Sequence, residues 1–225
     1  MAVSARGLVA ERDQFRLQVD SFDADASGTA LLGRNGAGKS TLLLALQGLL
    51  QHRGLVERTG RCAGVFARPA VLRGSVLWNV AAVLRGATGV DQRTALKRSK
   101  TMLSSVDLSN VMNLDARRLS SGQRQRLALA RALALEPQTL FLDEPFANVD
   151  ADGRPGLRAL VRDYVARSGC ALVLATQNLA DVTTLCKTVM VLEAGRPTEL
   201  LDVGAIETSR NPYLQAIVCE WRLLP

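Results

Sequence analysis

The chain has 225 residues, of which 48% are hydrophobic, 22% charged and 4% aromatic, with a formal net charge of +7. This length suits one large α/β domain able to bury a core without disulfide or metal staples, and the balance of apolar to charged residues excludes a disordered chain. With so few aromatics, Leu, Val and Ala must build the core, which suits helices packed on a parallel sheet.

No apolar run reaches the roughly 18–20 residues of a membrane span. The strongest, residues 41–50, is interrupted by Gln47 and Gly48. The opening Met1-Ala2-Val3-Ser4-Ala5-Arg6 has no apolar core of a secretory signal, so a cytoplasmic location is expected. Cys62, Cys170, Cys186 and Cys219 are widely spaced, without a CxxC pair, and His52 is the only histidine. Free, buried thiols are expected rather than a zinc site. The tightest basic group, Lys97-Arg98-Ser99-Lys100 with Arg93 nearby, reads as the solvated face of a helix. Dispersed charge and scarce aromatics give no reason to expect direct nucleic-acid binding.

In chain order, residues 7–33 read as short strands: residues 15–19 alternate, and residues 29–32 form an apolar run ending at Gly33. Residues 39–50 read as a Leu-rich helix, and residues 62–66 as another strand. From about Ser75 the pattern turns helical. Val76, Leu77, Val80, Val83 and Leu84 are spaced for one helix, and a second runs from Asp91 to about Ser105. Residues 121–135 form a further helix, apolar on one face. Strands return at residues 139–142, 171–175 and 189–192 with helices between them, an alternation that predicts a parallel sheet.

Gly33-Arg34-Asn35-Gly36-Ala37-Gly38-Lys39-Ser40-Thr41 fits GxxxxGK[ST], with an apolar strand before it and a helix after it. Glycines let such a loop turn tightly, so that backbone N–H groups surround an anion and the helix adds the positive end of its dipole. Lys39 is placed to reach β- and γ-phosphates, and the Ser40 hydroxyl to ligand Mg²⁺. Leu140-Phe141-Leu142-Asp143-Glu144 is an apolar strand ending in two carboxylates, closed by Pro145. Asp143 is expected at the end of a strand beside the phosphate loop, binding Mg²⁺ through water. Glu144 is then the candidate general base for an attacking water.

A third element narrows the field. Leu119-Ser120-Ser121-Gly122-Gln123, with Arg124-Gln125-Arg126-Leu127-Ala128-Leu129-Ala130-Arg131-Ala132-Leu133 after it, resembles the LSGGQ signature and following helix of ABC-type ATPases. Ser120 lies 23 positions before Asp143. Ala147-Asn148-Val149-Asp150 resembles the family's D-loop. Gly74-Ser75-Val76 and Asn79 resemble its entry to the helical subdomain, and Val191-Leu192-Glu193-Ala194-Gly195-Arg196 its late strand and turn. The resemblance covers about residues 7–200. The tail, through Asn211-Pro212-Tyr213 to Trp221, reads as a terminal helix without an assigned role.

The resemblance implies a P-loop NTPase core with a mainly parallel sheet, an N-terminal antiparallel β portion and a helical subdomain at about 75–135, all in one domain over 1–225. It implies ATP and Mg²⁺ as ligands. It also makes Ser120, Ser121, Gly122 and Gln123 contacts to ATP held by a second ATP-binding subunit, in a head-to-tail homodimer or heterodimer. Further expected partners are transmembrane permease subunits, with this chain peripheral on the inner face of the cell membrane. The acidic-pair region and short N-terminus resemble those of tungstate- and molybdate-type importers.

Several positions depart from the family. Ala67 stands at the Q-loop glutamine, so metal sensing there is lost. Gln177, in Ala175-Thr176-Gln177-Asn178, stands at the switch histidine; it can donate a hydrogen bond but carries no positive charge. Ser121 replaces a signature glycine, the segment between Gly48 and Cys62 reads as a trimmed hairpin, and Phe15 is the nearest candidate to stack on adenine. ATP hydrolysis is expected, slowed by these changes. The alternatives are a binding-only regulatory subunit and a soluble ABC-type ATPase outside transport.

Overall fold

The computed structural model describes residues 2–12 and 14–222. Met1, part of the N-terminal segment read above, lies outside the described residues. β1 (Val3–Arg12) and β2 (Phe15–Ala24) form an antiparallel hairpin of two ten-residue strands, longer than the short strands expected. β3 (Thr29–Leu32) follows, then the phosphate-loop segment and α1 (Lys39–Gln47), which ends on left-handed Gly48.

β4 (His52–Arg58) returns along the free edge of β1. This strand occupies the segment expected to be trimmed. It was hidden in the sequence because none of its residues is fully buried, so it has no apolar period. It is an edge strand held by backbone pairing. The register shifts between Arg6 and Val9, where a Cβ on Gly54 would run into the Gly7 carbonyl.

β5 (Cys62–Val65) opens the second sheet. Then come α2 (Val76–Thr88), α3 (Gln92–Ser105) and α4 (Ser121–Ala134). Side-chain caps start each of them: Ser75 accepts from the Trp78 amide, Asp91 from the Thr94 amide, and Ser120 from the Gln123 amide. In α3, Ala95, Ser99 and Leu103 face inward, and Ser99 donates to the Ala95 carbonyl at 2.7 Å. Lys97 and Lys100 face solvent, as expected, while Arg98 pairs with Glu136 at 2.5 Å.

β6 (Thr139–Asp143), α5 (Arg154–Ser168), β7 (Ala171–Ala175), α6 (Leu179–Leu185), β8 (Thr188–Glu193), β9 (Arg196–Asp202) and α7 (Pro212–Arg222) complete the chain. The sheet order is β5-β6-β7-β3-β8-β9, parallel except for β9. Its central strands β3, β6 and β7 are buried on both faces, as a parallel sheet covered by two layers requires. Leu140, Leu142, Leu172, Leu174, Ala30, Leu32, Val189 and Val191 join the core under the helical layer. Phe141, Val173, Leu31, Met190 and Leu192 alternate with them and meet α1 and the three-stranded sheet β2-β1-β4. β9 was not foreseen either; Leu200 on this edge strand is 64% exposed, so it too lacks an inward apolar run.

The thiols divide by depth. Cys170 and Cys186 are buried, Cys62 is half-buried, and Cys219 on α7 is exposed, against the expectation of uniformly buried thiols. Burial pushes the Cys170 thiol up to about 12 and raises that of Cys186 as well. Under native conditions an alkylating reagent therefore labels Cys219 first, and labels Cys170 and Cys186 only at the rate of unfolding. Mass spectrometry over a time course measures this, and early labelling of Cys186 contradicts the packing described.

Candidate nucleotide-binding site

The phosphate-loop segment is shaped by close approach. Gly33 has φ of 148° and a Cβ there would enter the Leu192 carbonyl; Gly38 has φ of 109° and a Cβ would meet the Phe15 ring at 2.9 Å. Side chains at either place meet both a left-handed backbone and an occupied neighbour. Arg34, Asn35 and Gly36 are exposed on the loop's crest, while Ala37, Gly38, Lys39 and Thr41 are buried and Ser40 is exposed at the first turn of α1. The Ala37 carbonyl accepts from the Gly195 amide at 3.0 Å, which ties the loop to the β8–β9 turn. Lys39 is only 7% exposed, and its Nζ donates to the carbonyls of Gly33 at 2.6 Å and Arg34 at 3.1 Å.

Two carboxylates face this lysine. Asp143 ends β6, which is two strands away from β3, with β7 between them. The packing of α1 across β6 and β7 brings Ser40 and Lys39 to it all the same. Asp143, Glu144, Lys39, Ser40, Phe15 and Ala67 line one cavity of about 450 Å³. Burial raises both carboxyl groups above the usual carboxylate range, and Lys39 partly opposes the shift. Burial lowers the Lys39 ammonium, opposed by Glu144 and Asp143. Glu144 has a left-handed backbone, φ 46°, fixed where its N–H donates to the Ala175 carbonyl at 2.8 Å. Ala67 presents only a methyl group to the cavity.

Gln177 reaches the phosphate loop directly: its Nε2 donates to Asn35 Oδ1 at 2.6 Å. Sequence reasoning gave Gln177 a donor amide but not this partner. It also missed where α7 goes. Asn211 caps that helix, its Oδ1 accepting from the Tyr213 amide at 2.9 Å. Pro212 and Tyr213 then line a cavity of about 440 Å³ with Arg34, Asn35 and Glu193. Farther along, Ile217, Glu220 and Trp221 line a cleft of about 350 Å³ with Glu144 and Gln177. The Asn-Pro start announced a helix; only packing puts it against the loop.

The signature stands apart from its own chain's phosphate loop, since none of Ser120, Ser121, Gly122 and Gln123 lines the 450 Å³ cavity. Ser120 and Gln123 cap each other: the Gln123 amide donates to Ser120 Oγ at 3.2 Å, and the Ser120 amide to Gln123 Oε1 at 3.0 Å. Gly122 packs on the D-loop, where an added Cβ would lie 2.7 Å from the Asn148 carbonyl. Arg126, one turn on, pairs with Asp150 at 3.4 Å and Asp107 at 3.1 Å. Ser121 is exposed. Behind the signature, buried Gln125 points its Nε2 at the Glu144 carbonyl, 3.5 Å away.

Two outcomes follow from this geometry. Because Glu144 binds its proton more tightly folded than unfolded, stability falls as pH rises from the ordinary value of 4.5 through its raised value. Glu144→Gln removes that slope, so the nucleotide-free variant melts at a higher temperature than the parent at neutral pH, and calorimetry across pH checks it. Gly122→Ala forces apart the signature and the D-loop and costs about 1–3 kcal/mol. Ser121→Gly costs less than about 1 kcal/mol, and urea titration ranks the two.

The profile of the family described as "ABC transporter" matches residues 21–147. The molybdenum import ATP-binding protein ModC of Mycobacterium tuberculosis (strain ATCC 25618 / H37Rv) is 37% identical over 226 residues, covering 91% of this chain. The chain spans only 60% of that relative's length. The aliphatic sulfonates import ATP-binding protein SsuB 3 of Paraburkholderia xenovorans (strain LB400) is 38% identical over 87% of this chain and 78% of its own. The tungstate uptake system ATP-binding protein TupC of Peptoclostridium acidaminophilum is 32% identical over 81% and 90%. A solved ATP-binding subunit of an ABC transporter shares the fold with a TM-score of 0.84 at 22% identity, covering 99% of this chain and all of that one. A dimeric, post-hydrolysis ATP-binding cassette bound to ADP and Pi gives 0.81 at 19%, covering 89% and 98%. The profile match and these relatives show that the chain belongs to the ABC transporter family.

Proposed function

We propose that this chain is the ATP-binding subunit of an ABC importer and that it hydrolyses MgATP at a head-to-tail interface with a second such subunit. The observation that carries the reading is the meeting of Lys39, Ser40, Asp143 and Glu144 in one cavity at the start of α1. Amides of residues 33–41 and the Lys39 ammonium bind the β- and γ-phosphates. Ser40 and Asp143 form a hard-oxygen pair of the kind that holds Mg²⁺, whose charge neutralises the phosphate oxygens when bound. Glu144 takes the proton of the attacking water, and burial keeps its basicity high enough for that task. Phe15 offers its ring to adenine, and Gln177 stands near the γ-phosphate as a neutral donor.

Ser120, Ser121, Gly122 and Gln123 serve the nucleotide of the second subunit. Their distance from the cavity of their own chain supports that assignment, since a helix N-terminus favours an anion only within its first turn. Residues 1–225 act as one ATP-binding domain with residues 75–135 as its helical subdomain. Leu72, Trp78 and Leu114 are 42%, 48% and 43% exposed, on segments joined where the Leu72 amide donates to Asn79 Oδ1 and the Val76 amide to the Leu114 carbonyl. Such an apolar patch supports docking of membrane permease subunits, which would hold the chain on the inner face of the membrane. The activities for which the relatives are named (molybdenum import, aliphatic sulfonates import, tungstate uptake) favour import of a small anion.

Ala67 and the Gln177–Asn35 bond favour slow turnover, and in the limit a subunit that binds without hydrolysing. Purification with associated membrane proteins, beside Glu144→Gln and Lys39→Ala, tests the reading. The expected result is a multi-span partner, a kcat lowered about 10²–10⁴-fold by Glu144→Gln with ATP still bound, and ATP binding lost in Lys39→Ala. A permease partner with no hydrolysis in either parent or Glu144→Gln establishes the binding-only subunit. Nucleic acid alone in the purified complex overturns the transporter reading.

A further inference from the structure

Thr176 follows β7 and is fully buried, although it carries a hydroxyl. Its Oγ1 accepts from the Asn178 amide at 3.1 Å, faces Asp181 Oδ2 at 3.1 Å and lies 3.5 Å from Glu144 Oε2. Asp181 on α6 is itself 3% exposed and is held by Arg158 Nε of α5 at 2.5 Å. A buried network of this kind can serve stability alone by pinning α5 and α6 to the sheet. Two observations carry it further.

Among the described residues, Thr176 Oγ1 is the only side-chain atom within hydrogen-bond distance of the Glu144 carboxylate. A glutamate without a tether samples many rotamers, and each turn of its side chain moves the carboxylate by several times the tolerance of a reacting geometry. The backbones are also paired: the Glu144 N–H donates to the carbonyl of Ala175, the residue before Thr176. The left-handed conformation of Glu144 and the Thr176 hydroxyl are therefore delivered by the same strand end. The hydroxyl has one proton and two carboxylate acceptors, of which Asp181 is the nearer; Asp181 also accepts from Arg158, whereas the Glu144 carboxylate has Thr176 alone among the described residues.

We propose that Thr176 is a positioning residue for Glu144, its hydroxyl held in place by Asp181 and Arg158 and tethering the Glu144 carboxylate. This rests on the reading that Glu144 activates the attacking water. It gives the segment around Gln177 two tethers: Gln177 to Asn35 on the loop, and Thr176 to the base.

The test is steady-state hydrolysis of MgATP by the full chain with its partners, with ATP affinity measured separately. Thr176→Val keeps the shape and removes the hydroxyl; Thr176→Ser keeps the hydroxyl and removes a methyl group. Thr176→Val is expected to lower kcat about ten- to a hundredfold, with the Kd for ATP within about twofold. Thr176→Ser keeps kcat within about threefold of the parent. A packing role gives the opposite ranking, because valine fills the site and serine leaves a void, and that ranking overturns the proposal. If Thr176→Val does not fold, Thr176→Ala, which demands no new volume, takes its place, and a parental kcat in that variant overturns the proposal equally. A parent no faster than Glu144→Gln removes both this inference and the hydrolytic reading. An active parent matched by Thr176→Val removes this inference alone.

Discussion

A lysine ammonium held almost out of solvent, Lys39 at the first residue of α1, is the constraint around which this molecule is arranged. Burying a charge is costly unless it is paired and hydrogen-bonded. Here two loop carbonyls accept from it, and two carboxylates at the end of β6 lie within its field. Those carboxylates are in turn pushed toward their neutral forms by the same burial. Each member of the trio is therefore poorly satisfied by the others alone. The polyanion and divalent cation proposed for this site would relieve both imbalances at once.

The neighbouring elements meet this constraint from different directions. β3 delivers the loop, the turn after β8 ties it down through Ala37, and the Phe15 ring presses on Gly38. The helical layer is joined to the same place less directly. Gln125 on α4 reaches the Glu144 carbonyl, and Gly122 rests on the D-loop that continues from Glu144. The signature helix therefore contacts the backbone of the proposed base as well as carrying the residues proposed to meet a second subunit. α5 and α6 join through Arg158, Asp181 and Thr176, and α7 through Tyr213 and Trp221.

Much of this was legible in the chain because its carriers are local. Residues 171–175 form β7 with the expected ends, and the apolar run at 139–142 gains only Asp143. Caps at Ser75, Asp91 and Ser120 set helix starts within a residue or two of those expected. The misses share a physical cause. β4 and β9 are edge strands whose stability lies in pairing with β1 and β8, so their side chains carry no burial pattern to read. Exposed Cys219 was misjudged because α7 docks through Leu214 and Val218, leaving its other face in solvent.

What the sequence determined by itself was the local chemistry. The glycines of residues 33–38, the Lys39-Ser40 pair, the Asp143-Glu144 strand end and the signature turn are each written within a few consecutive residues. Backbone sterics and short-range hydrogen bonds suffice to shape them. Only the tertiary structure decided how they meet: that β7 stands between the strands of loop and carboxylates, and that Gln177 closes on Asn35. It likewise decided that Thr176 shares its hydroxyl between Asp181 and Glu144, and that α7 folds back beside the loop. These contacts join residues far apart in the chain, and they arise from strand order and helix packing, which no local pattern encodes.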